Sequence, residues 1–129
     1  MLDDYIYRNL RAMVRHAVHN LSLAPEVQHA TFLDHPGGCE EMLLEMRNEA
    51  MSSAKLLHNE GQLSEQTFAL VSELDNDAAA VFDVFDSYLG VPCVEWLKSP
   101  EWNRVRRTAR VVLGALDATE TEQADGLSP

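Results

Sequence analysis

Apolar residues recur along this chain at intervals of three and four, the spacing that returns side chains to one face of an α-helix. The first run covers about Leu2 to Leu21, with Leu2, Ile6, Leu10, Met13, Val14, Ala17, Val18 and Leu21 on one stripe. Asp3 and Asp4 stand in its first turn, where the helix dipole favours negative charge. A shorter segment follows, from Ser22 to Gly38. Pro25 suits the first residue of a helix, and His35-Pro36-Gly37-Gly38 is a strong break.

The second long helix is expected from about Cys39 to Glu60, its inner stripe marked by Leu43, Met46, Ala50, Ala54 and Leu57. Gly61 suits a left-handed C-terminal stop. Ser64 then caps a third helix. Its stripe of Val71, Leu74, Ala78, Val81, Phe85 and Tyr88 keeps an unbroken three-four alternation. This predicts either one helix to Leu89 or a break at Asp75-Asn76-Asp77, where Asp and Asn compete for backbone donors.

Pro92 to Lys98 forms a short helical turn, and Ser99-Pro100-Glu101 opens a last helix running to about Leu116. Trp102, Val105, Ala109, Val112 and Leu116 are its inner face, and Trp96 and Trp102 are expected to pack the end of the molecule. No period-two segment or hairpin signal occurs. The expectation is an all-α fold of four or five helices, in an antiparallel bundle or irregular helical array. Residues 1–118 form its single domain and 119–129 an acidic flexible tail.

Charge changes the picture. The 129 residues carry 10 basic and 21 acidic side chains, a formal net charge of −11. Residues 1–25 are net +1, residues 26–95 net −12, and residues 96–129 net 0. Nucleic-acid binders show the opposite balance, because phosphate neutralisation needs Lys and Arg. Direct nucleic-acid binding and an anionic membrane surface are therefore disfavoured. The N-terminus lacks the basic and apolar regions of a signal peptide, so a cytoplasmic location with reduced thiols is expected. Cys39 and Cys93 form no Cys-x-x-Cys pair. Cys39 reads as a small residue packed at a turn and Cys93 as core.

The acids of the middle helices either solvate exposed faces, with the arginines of the outer helices pairing to them, or present a surface to a basic partner. Glu41, Glu45 and Glu49 fall four apart, an acidic ridge whose like charges cost roughly 0.2–0.5 kcal/mol per pair. Glu73, Asp75, Asp77, Asp83 and Asp86, with Tyr88, make a second patch suited to Lys- and Arg-rich surfaces.

Signals for chemistry are sparse. Glu26-Val27-Gln28-His29 is a single Glu-x-x-His pair where a di-iron bundle needs two. His16 and His19, three apart, could share a face with nearby carboxylates in a helical metal protein or enzyme. Arg11-Ala12-Met13-Val14-Arg15-His16 resembles the Arg-x4-His pattern of helical ribonucleases known as HEPN domains. It covers six residues, sits on the first helix rather than a late one, and faces a net charge that opposes RNA.

The sequence therefore points to a non-enzymatic acidic inhibitor without catalytic residues, metal or cofactor. It would occupy the basic site of a nucleic-acid-acting enzyme or complex, a nuclease toxin for example. In charge, size and helix content it is similar to immunity proteins, antitoxins and anti-defence inhibitors. It would act as a monomer or homodimer. The alternatives are the His16/His19 metal protein or enzyme, and an acidic adaptor or chaperone for a basic client.

Overall fold

A computed structural model describes residues 3–33 and 38–127, the last nine as backbone only. Leu2 and the His35-Pro36-Gly37 part of the expected break lie outside the described residues. The fold is all-α: α1 (Asp4–Ser22), α2 (Pro25–Phe32), α3 (Glu40–Leu44), a π-helical segment (Glu45–Ala50), α4 (Met51–Asn59), α5 (Glu65–Asp83), a 3₁₀ turn (Phe85–Tyr88), α6 (Cys93–Trp96) and α7 (Pro100–Leu127). α1 packs against both α7 and the π segment with α4, and α5 packs against α7 and α4. The result is an irregular helical array rather than a regular bundle.

Several boundaries follow from short side-chain caps. The Asp3 carboxylate accepts the Ile6 N–H at 3.0 Å, the Ser64 hydroxyl accepts that of Thr67 at 3.1 Å, and the Ser99 hydroxyl accepts that of Trp102 at 3.3 Å. Gly61, at φ 71°, ends α4 in the left-handed region, as its position suggested.

The helix expected from Cys39 to Glu60 forms, but with a π turn at its centre. The reason is legible in its core residues. Met42, Met46, Ala50 and Ala54 are all fully buried, at successive four-residue steps. Each such step in an α-helix overshoots a full turn by about 40°. Three steps would carry Ala54 about 120° off the core face. The extra residue of an i→i+5 turn absorbs that drift, so both halves face inward.

α5 resolves the sequence's two alternatives differently from either. It runs unbroken through Asp75-Asn76-Asp77 and ends at Asp83, short of Leu89. Val71, Leu74, Ala78 and Val81 are fully buried within it, whereas Phe85 and Tyr88 continue from the 3₁₀ turn as partly buried residues against the core. α7 passes the expected stop at Leu116 and reaches Leu127. Ala118, Glu120, Glu122, Gln123 and Ala124 are helix formers, with no proline among them. In α1, Tyr7 is buried while Ile6 and Met13 are exposed, so the inner stripe is rotated from the one expected.

Trp96 and Trp102 are both buried and meet edge-to-face, ring centroids 5.4 Å apart, with Phe85 edge-on to Trp96 at 5.3 Å. One polar hub ties the helix ends together. Gln28, fully buried on α2, donates through Nε2 to the carbonyls of Asn20 and Leu21 at 3.1 and 3.2 Å. These belong to the last turn of α1, where carbonyls lack intrahelical donors. Its Oε1 accepts from Arg106 Nε at 3.2 Å, linking α2 to α7. Among the described residues, no helix is long and apolar enough to cross a membrane.

Candidate functional site

The acidic ridge starts from Glu41, on α3 and half-buried. Glu45 opens the π segment and is half-buried, and Glu49 within it is exposed. Because a π turn interrupts them, the three do not form the straight row that four-residue spacing draws on a regular helix. Instead, Glu45 and Glu49 turn toward α1 and line a groove with Asn9, Ala12, Met13, His16 and Ala17. Its volume is about 440 Å³. Glu41 is not among the lining residues. Ala12, Met13 and Ala17 give the groove an apolar floor, while Glu45, Glu49, Asn9 and His16 supply polar groups. Met13, placed by periodicity on the inner stripe, is 42% exposed and belongs to this floor. The four-residue steps from Met42 to Ala54 were the available signal for the π turn that aims the two glutamates.

The second patch divides. Glu73, Asp83 and Asp86 are exposed. Asp75 faces Arg47, with Nε 3.7 Å from its carboxylate, and the Arg47 guanidinium lies 6.0 Å from the Phe82 ring centroid. Burial pushes the Asp75 carboxyl above its ordinary value, despite the opposing attraction of Arg47 and Lys55. Asp77 faces α7, accepting from the Thr108 hydroxyl at 2.6 Å and lying 3.5 Å from Arg104 Nε. Tyr88 is half-buried and donates to Glu101 at 3.3 Å. Asp75, Asp77 and Tyr88 are thus engaged within the fold, and the outward part of the patch reduces to Glu73, Asp83 and Asp86.

Of the two histidines, His16 lines the groove, with Nε2 3.4 Å from Asn20 Nδ2. His19 is exposed and its carbonyl accepts from Ser22 at 2.6 Å. Among the described residues, no three His, Cys, Asp or Glu side chains converge as a metal-ligand set. The Arg-x4-His hexapeptide is not assembled as one unit. Arg11 donates to Gln62 at 3.4 Å, Arg15 pairs with Asp117 at 2.9 Å, and His16 stays on the groove.

The two cysteines, distant in sequence, come together beside an apolar cavity of about 300 Å³ that Phe85, Tyr88 and Trp96 also line. Both are free thiols. Cys39 is buried as expected, whereas Cys93, read as core, is only half-buried. Burial, the Cys93 thiol and the charge of Glu40 push the Cys39 thiol up to about 12. That is opposite to the lowering that makes a reactive thiolate.

Compared with known protein families, curated proteins and solved structures, the chain finds no significant match.

Proposed function

We propose that this protein is a binding module for a basic protein partner. It would act as an inhibitor by occupying the cationic site of a nucleic-acid-acting enzyme or complex. The observation that carries the reading is the groove between α1 and the π segment, with its apolar floor and two glutamates. A lysine or arginine has the matching anatomy: an aliphatic stem for Met13 and the alanines, and a charged head for the carboxylates. The formal charge of −11 adds a long-range field that steers a basic surface toward it and repels acidic ones. π turns are frequent at functional positions, and this one directs Glu45 and Glu49 into the groove.

The test is salt-eluted capture of partners on the purified chain, followed by binding kinetics with the captured partner. A basic nuclease or nucleic-acid-binding subunit, bound one-to-one and losing activity, is the expected outcome. Glu41→Lys, Glu45→Lys and Glu49→Lys together should slow association by about tenfold or more, with a reduced dependence on ionic strength. Unchanged affinity in the triple variant refutes the groove as the contact. A bound partner whose activity is preserved and whose solubility rises favours the chaperone alternative instead.

A further inference from the structure

The strongest local cation cluster lies away from the acidic groove. Asn103, Arg106, Arg107 and Arg110 fall at i, i+3, i+4 and i+7 on α7, one helical face. They line a cavity of about 530 Å³ with Pro25 and Pro100, the first residues of α2 and α7. Two helix N-termini therefore bring positive dipole ends to a wall that already holds three guanidinium groups.

Arg106 is the unusual member. It is 3% exposed, among the most deeply buried charged side chains described. A buried charge is tolerated when it is paired and hydrogen-bonded. Arg106 Nε is bonded to Gln28 and Nη1 to Asn103 Oδ1 at 2.7 Å, but Nη2 is buried without a hydrogen-bond partner. Both partners found are neutral. Among the described residues, no carboxylate forms an ion pair with Arg106, Arg107 or Arg110, although Arg15, Arg47 and Arg104 each have one. Glu26, in the first turn of α2, acts on Arg106 only through longer-range attraction. Burial, together with the neighbouring Arg110, lowers the Arg106 guanidinium to about 10. This is the signature of a cation placed where counter-charge is scarce.

We propose that this cavity between α2 and α7 is a binding site for a phosphate dianion, free or carried as the terminal group of a small phosphomonoester. Guanidinium groups match phosphate oxygens with paired N–H donors, and three on one wall exceed what a single carboxylate would engage. The volume falls within the range of small-molecule sites and leaves space beyond a phosphate for an organic group. The acidic total does not by itself forbid it, because charges more than about 10 Å away are largely screened at ordinary ionic strength.

The test is titration of the full chain at constant ionic strength with inorganic phosphate and, separately, with a nucleoside monophosphate. Calorimetry and the guanidinium Nε–H resonances report binding. The expected result is saturable one-to-one binding that shifts the signals of Arg106, Arg107 and Arg110 but not that of Arg8. Tighter binding of the nucleotide identifies the ester as ligand, and equal binding identifies free phosphate. Arg106 also holds the core, so Arg107→Gln is the informative variant. Arg107 is exposed, with no hydrogen bond or ion pair among the described residues. Arg107→Gln should weaken binding about tenfold, while Arg8→Gln, which removes the same charge elsewhere, should leave it unchanged. No saturable binding of either probe, or equal loss in both variants, overturns the proposal.

Discussion

Replacing Gln28 with leucine removes polar contacts from the centre of the protein while nearly preserving side-chain volume. Gln28 is fully buried, so water cannot replace what is lost. Two neutral hydrogen bonds disappear, to the carbonyls of Asn20 and Leu21, each contributing about 1 kcal/mol. The bond from Arg106 Nε involves a charge and contributes about 1.5–3 kcal/mol. The expected destabilisation is about 3–5 kcal/mol, a large share of the roughly 5–15 kcal/mol that stabilises a domain. The melting temperature should fall by roughly 10–20 °C. Equilibrium urea unfolding followed by circular dichroism measures it, provided the slope with denaturant stays constant. Arg106→Met and the double variant complete a cycle. Without the buried guanidinium, part of the cost of Gln28→Leu vanishes, so the double variant should be about 1–3 kcal/mol more stable than the sum of single effects. A Gln28→Leu protein within about 1 kcal/mol of wild type, or strictly additive effects, refutes the assignment of Gln28 as the hub joining α1, α2 and α7.

Three further outcomes are expected. Deleting Asn48, an exposed residue of the π segment, should leave a regular α-helix with stability within about 1 kcal/mol of wild type, because the π turn holds one residue beyond the α-helical count. Loss of cooperative unfolding would contradict this, whereas weakened partner binding would tie the turn to the groove. Asp75→Asn should leave stability at pH 7 equal or higher. Its carboxyl is raised in the folded state, so ionisation costs stability as pH rises through that raised value, and the variant's advantage should vanish below its ordinary value of 3.8. A lower melting temperature at pH 7 would show that the Arg47 pair outweighs burial. For Cys39, raised from 9.0 to about 12, the stability due to the protonated thiol is complete below pH 9 and lost as pH climbs toward 12. Alkaline destabilisation in that window should be smaller in Cys39→Ser, and Cys39 should resist alkylation at pH 8 until the chain unfolds.

The all-α class and most helix starts were legible from residue order alone, because three-four periodicity and the Ser64, Ser99-Pro100 and Pro25 signals are local. Residue order also located the excess acid in residues 26–95. Tertiary packing decided what those charges do. Asp75 and Asp77 were indistinguishable from Glu73 by composition, yet helix rotation turned the first two toward Arg47 and Arg104 and left Glu73 exposed. The ridge of Glu41, Glu45 and Glu49 assumed a uniform helix. Core demand for Met42, Met46, Ala50 and Ala54 imposed the π turn that redirected it. Asn103, Arg106, Arg107 and Arg110 were visible as one face of α7, but whether a carboxylate would meet them depended on which helix packed opposite. α2 arrived there with Gln28 and Pro25, so Arg106 was buried against an amide. Periodicity reports which residues share a face; only the packing of distant elements determines what that face meets, and charge is costly or useful according to that neighbour.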